Sequence, residues 1–193
     1  MANSIYDVLH QADTLKFGEF QFSYGKKTPI YFAFSTLFAN PRHFDLITDM
    51  LADKVREINP DKIAGAITSG IPLATAVSLK TNIPFVYVRA KPKEHGLKTR
   101  IEGIINEGEQ VLFIDDVISE ARPNLEFISH IREMGGVVKH MLVIMNYGKD
   151  LLDEMSKSHI TLHSLISARD LAMNLVKRGR LKTEQFEKIK DMI

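Results

Sequence analysis

An α/β domain built on a doubly wound, mostly parallel sheet flanked by helices is the fold class this sequence predicts, on three observations. Short apolar runs recur at residues 63–67, 85–88, 111–114 and 138–145. Each is too short for a helix and too continuous for a strand with one face in water, which is how fully buried parallel strands read. Helical spacing occupies 71–80 and 125–134 between them, the second stretch stopped by Gly135-Gly136. Strand and helix in alternation give a sheet with crossover helices packed on its faces.

Taken in order, residues 4–15 have helical spacing, and 19–34 alternate around Tyr24-Gly25-Lys26-Lys27, which predicts a hairpin at the edge of the domain. Asn40-Pro41 is a cap and first-turn pair that opens a helix running to about Ile58. The apolar runs begin after Lys62. In sheets of this kind ligands sit beyond the carboxyl ends of the strands, so chemistry is expected in the loops after Ile67, Val88, Ile114 and Met145. At roughly 150 residues per domain, the 193 residues predict a single domain over 1–193. Its expected parts are an N-terminal helix and hairpin or hood over 1–40, a core sheet over 41–166 and C-terminal helices over 167–193.

Composition narrows the function. Apolar residues make up 45% and charged residues 25% of the chain, so a disordered tail, a collagen-like repeat or a coiled coil is excluded as the main architecture. Twenty-five basic against twenty-four acidic residues leave a formal charge of +1, and neither nucleic acid nor membrane is expected as a partner. The absence of cysteine removes disulfides, thiolate zinc sites and thiol nucleophiles, and fits a cytoplasmic location. Met1-Ala2-Asn3-Ser4-Ile5-Tyr6 lacks the basic start and apolar run of a signal peptide. His159 and His163 are four residues apart but lie in a strand-like run without a carboxylate motif, so no metal site is expected there.

The sharpest feature is Val111-Leu112-Phe113-Ile114-Asp115-Asp116-Val117-Ile118, an apolar strand ending in adjacent carboxylates. Neighbouring acids repel, so they call for a polyhydroxyl ligand, a cation or basic partners; a bare pair also reads as a solvated strand end. With this strand, the chain resembles the type I phosphoribosyltransferases, and among them the orotate phosphoribosyltransferases. Lys16-Phe17-Gly18-Glu19-Phe20 and Gly25-Lys26-Lys27-Thr28-Pro29-Ile30-Tyr31-Phe32 resemble that family's N-terminal hairpin. Gly70-Ile71-Pro72-Leu73-Ala74 resembles its pyrophosphate-side turn, and Val88-Arg89-Ala90-Lys91-Pro92-Lys93-Glu94-His95-Gly96 its catalytic loop.

The resemblance implies the type I phosphoribosyltransferase fold. It also implies transfer of ribose 5-phosphate from phosphoribosyl pyrophosphate (PRPP) to orotate or another base, with release of pyrophosphate, in pyrimidine nucleotide synthesis. Lys93, His95 and Asp116 are the implied catalytic residues. Arg89, Lys93, His95, Asp115, Asp116, Ser119 and Arg122 are implied for PRPP, and Tyr31, Phe32 and Ser119 for the base. Mg2+ is implied as an ion carried by PRPP and water, with no direct protein ligand. The family's basic loop acts across subunits, which implies a homodimer with shared sites.

Several positions depart from the family pattern. Where it has a glycine-containing phosphate cradle, this chain has Ser119-Glu120-Ala121-Arg122-Pro123, with Pro123 lacking an N–H and Glu120 bringing negative charge. Ser69 and Ala90 replace lysines, and Tyr147 stands where an arginine is expected; Lys149 or Arg122 are the residues available to compensate. The second functional class is therefore a non-catalytic homologue acting as a nucleotide-binding or regulatory protein. An open hollow at 119–124 favours the enzyme, and a loop filled by Arg122 or Glu120 the regulator.

Overall fold

Ser4 starts the first helix, α1 (Ile5–Gln11), its side chain accepting from the Asp7 N–H. Strands β1 (Leu15–Gln21) and β2 (Lys27–Phe32) form the expected antiparallel hairpin. The computed structural model describes residues 4–21, 27–92, 99–191 and 193. The expected turn at Tyr24-Gly25-Lys26, and Lys93 and His95 with the rest of 93–98, lie outside the described residues. A 3-10 turn over Phe34–Ala39 leads to α2 (Pro41–Ile58), where Asn40 Oδ1 accepts from the Arg42 N–H at 3.0 Å.

The apolar runs form a six-stranded sheet. Its strands are β3 (Lys62–Ala66), β4 (Phe85–Val88), β5 (Ile101–Glu102), β6 (Gln110–Ile118), β7 (Val137–Asn146) and β8 (Thr161–Ser167), in the order β5-β4-β3-β6-β7-β8. β3 lies parallel to β4 and β6, β6 parallel to β7, and β5 antiparallel to β4. The remaining helices are α3 (Gly70–Thr81), α4 (Ala121–Glu133), α5 (Lys149–Lys157), α6 (Ala168–Lys177) and α7 (Thr183–Ile189). The chain gathers into two compact units, Met1–Ile47 with Ile166–Ile193, and Thr48–Leu165. In the first, Val8, Leu9, Ile30, Phe32, Phe34 and Leu171 are buried. The second has a core of Ala64, Val86, Val88, Phe113, Ile128 and Val143, drawn from both the sheet and α4.

The structure corrects three boundaries. β6 does not end at Ile114: its ladder with β7 continues through Asp115↔Val143 to Ile118↔Asn146, because the long neighbouring strand supplies backbone partners whatever the side chains are. α4 begins at Ala121 rather than Leu125, so Ala121, Arg122 and Pro123 form its first turn. Ala121 is buried in that turn and needs no positive backbone angle. Residues 101 and 102 are an edge strand, although their short length hid it from any periodicity argument.

Two glycines set how close α3 comes to the sheet. A Cβ on Gly65 would stand 2.3 Å from the Gly70 carbonyl oxygen, and one on Gly70 would stand 2.7 Å from the Ile114 carbonyl oxygen. Both separations are closer than any side chain permits, so this approach requires glycine at both positions. At the opposite ends of the same strands, Lys62 is 5% exposed and donates to Glu109 Oε2 at 2.5 Å and to the Ile104 carbonyl at 2.6 Å. Paired this way, Glu109 has its pKa lowered to about 2, chiefly by the Lys62 hydrogen bond.

Candidate active site

Asp115 and Asp116 sit in the carboxyl-terminal part of β6, partly buried, with the β3–α3 turn and the start of α4 beside them. Asp115 Oδ1 accepts from the Asp116 N–H at 2.9 Å, and its Oδ2 accepts from Asn124 Nδ2 at 3.0 Å. Asp116 Oδ1 accepts from the Val117 N–H at 2.9 Å, and the Ser69 side chain also bonds to this carboxylate. Burial pushes the Asp115 pKa well above the usual carboxylate range, and the charge of Asp116 pushes it further. Burial raises Asp116 as well, opposed by the hydrogen bonds from Val117 and Ser69. A pair held like this is poised to accept hydrogen bonds from neighbouring hydroxyls, because ligand donors relieve what burial costs the two charges.

The turn that brings Ser69 to Asp116 runs from Ala66 to Gly70 and contains a cis peptide bond between Ile67 and Thr68. Ser119 follows the end of β6, half-buried, and Glu120 caps α4 in an extended conformation. Arg122 is exposed in the first turn, with no hydrogen-bond or ion-pair partner among the described residues.

The other candidates are distributed as follows. Arg89 follows β4 and pairs with Glu102 on β5 at 3.0 Å, its Nε also donating to the Lys91 carbonyl at 3.4 Å. Tyr31 is 50% exposed and stacks on Phe20 at 5.4 Å between ring centroids. Phe32 is 3% exposed and stacks on Phe34, so its ring is occupied by packing within its own unit. Tyr147 packs against the core of the sheet unit, its N–H donating to the Ile118 carbonyl. The side chain of Lys149 lies outside the described residues. Among the described residues, no group of three or more His, Asp or Glu side chains converges as a metal cage.

Sequence reasoning missed Asn124 and Glu102, and treated Ser69 only as a missing lysine. Asn124 had no recognisable spacing from Asp115. Glu102 carried no signal either: it lies opposite Tyr87 in a two-residue edge strand and reaches Arg89 only through its side chain.

Residues 34–165 match the phosphoribosyl transferase domain family. The chain is 30% identical to an orotate phosphoribosyltransferase of Methanocaldococcus jannaschii, over 88% of this chain and 96% of that one. It is 31% identical to an orotate phosphoribosyltransferase of Natronomonas pharaonis, over 89% of this chain and 98% of that one. In three dimensions it is similar to Leishmania donovani UMP synthase, with a TM-score of 0.86 and 25% identity, over 96% of this chain and 40% of that one.

Proposed function

The chain belongs to the orotate phosphoribosyltransferase family, and from that premise we propose that it transfers ribose 5-phosphate from PRPP to orotate with release of pyrophosphate. The observation that carries this reading is the Asp115–Asp116 pair, partly buried at the carboxyl end of the central strand. Vicinal ribose hydroxyls give such a pair further donors, since a carboxylate accepts more than the two bonds each acid already has. As the bond to pyrophosphate lengthens, cationic character grows on the anomeric carbon, and fixed carboxylates nearby stabilise it without reorganising.

The leaving group needs positive charge, which we assign to Lys93 and His95, both outside the described residues, together with Arg89. Ser119 and Arg122 meet the 5-phosphate at the start of α4, where Arg122 does the work of the missing glycine cradle. Tyr31 presents an exposed ring suited to stacking on a flat base. Phe32, next to it in the strand, and Ser119 are assigned to the base side as well. Magnesium belongs to this reading as part of the substrate, held by pyrophosphate oxygens and water, which suit a hard cation.

The chain works in this proposal as one phosphoribosyltransferase domain over 1–193, as a homodimer whose sites are shared, and in the cytoplasm. No helix among the described residues is long and apolar enough to cross a membrane. Isothermal titration with PRPP and Mg2+, followed by pyrophosphate release on adding orotate, tests the reading. Saturable binding and orotate-dependent release are the expected results, and no binding at millimolar PRPP overturns it.

A further inference from the structure

Asn124 has no part in the function as stated, yet it is built into the site. It is 6% exposed, and its Nδ2 is 3.0 Å from Asp115 Oδ2, while the other oxygen of that carboxylate is taken by the Asp116 N–H at 2.9 Å. Asp115 is thus held from two directions, by its own strand and by α4. The charged group facing it is Asp116; α3 presents Gly70 to it, and α4 presents the uncharged amide of Asn124. A neutral amide donating to a carboxylate stabilises the ionised form without adding a charge that would compete for the ligand. Burial and the Asp116 charge act in the opposite sense, so the amide opposes protonation at this position.

We propose that Asn124 is a positioning residue for phosphoribosyl transfer: its amide keeps the Asp115 carboxylate oriented for the incoming ribose hydroxyls. The inference rests on the ribose-binding role given to the acid pair above. Asn124 and Arg122 share the opening turns of one helix, which rises about 1.5 Å per residue. The phosphate end and the ribose end of the site are therefore tied to a single rigid element, and displacement of one is felt at the other.

The test compares the parent with Asn124→Leu, which keeps the shape and removes the donor, and Asn124→Asp, which is isosteric and replaces the donor with a like charge. The carboxyl titration of Asp115, followed by carbon-detected NMR without ligand, shifts upward by about one pH unit in Asn124→Leu and further in Asn124→Asp. Loss of the oriented carboxylate raises KM for PRPP about tenfold, and the acid limb of kcat/KM moves with the titration. A residue that only packs lowers the melting temperature of both variants and leaves the titration and its order unchanged, which overturns the proposal. A shifted titration with an unchanged KM overturns it too. If Asn124→Leu does not fold, the isosteric Asn124→Asp still reads the effect. A parent without PRPP turnover ends the functional reading above, whereas the ligand-free titration decides the Asn124–Asp115 coupling by itself.

Discussion

In the proposed function, Arg122 is the residue on which phosphate binding turns. Pro123 has no N–H, so the first turn of α4 lacks one donor that a glycine-containing cradle supplies, whereas the exposed guanidinium one position earlier offers two parallel donors. Arg122→Ala is expected to weaken PRPP binding about ten- to hundredfold, the value of one or two hydrogen bonds to a charged oxygen. Pro123→Ser, which restores an N–H, is expected to tighten it. Titration calorimetry reads both, and tight binding indifferent to Arg122→Ala would move the phosphate to another loop. A different residue pair controls acid stability. Glu109 has its pKa lowered to about 2 from an ordinary value of 4.5, so its contribution is full above pH 4.5 and is lost as the pH falls towards 2. Lys62→Met removes the buried cation but leaves the partly exposed carboxylate its two bonds from Asn106, and is expected to cost about 1–3 kcal/mol at neutral pH. Urea unfolding at several pH values also shows whether the parent's decline between pH 4.5 and 2 flattens in the variant.

The strand and helix ends, rather than their middles, build the site. β6 carries Asp115 and Asp116 inside its ladder, so the acids have the rigidity of a central strand rather than of a loop. α3 delivers Ser69 to the pair only because its first residue approaches Ile114 so closely. Gly70→Ala places a methyl group 2.7 Å from a backbone oxygen, where no flexible side chain gives way. The variant is expected to lose about 1–3 kcal/mol of stability, the usual cost of overpacking, and to lower PRPP affinity as Ser69 shifts from Asp116. Thermal unfolding together with titration calorimetry checks both effects. A variant as stable as the parent would show that the turn yields more readily than its packing implies.

At the level of the molecule, the proposed sharing of sites requires a second copy. The exposed ring of Phe17 in the hairpin, at 48%, is apolar surface that a neighbour is able to cover. Sedimentation at micromolar concentration is expected to give twice the mass of 21.9 kDa. A monomer at every concentration would remove the shared-site part of the proposed function while leaving binding of PRPP by a single chain open to titration.

Much of the fold was legible in the residues. The runs at 63–67, 85–88, 111–114 and 138–145 each contain a strand core, and Asn40-Pro41 opens α2 where it should. Burial on both faces leaves a local signature, and a cap acts over one turn, so neither needs the rest of the chain. Asp115 and Asp116 were visible for the same reason, as charge at the end of an apolar run. The extension of β6 to Ile118 was hidden, because a strand ends where its neighbour stops supplying partners, and β7 lies across a helix in sequence. The bond from Asn124 to Asp115, that from Ser69 to Asp116 and the pairing of Arg89 with Glu102 were hidden likewise. Hydrophobic periodicity reports which residues leave water, but not which distant group meets a polar atom once it is buried. That choice is made when the crossovers bring strand ends and helix starts together.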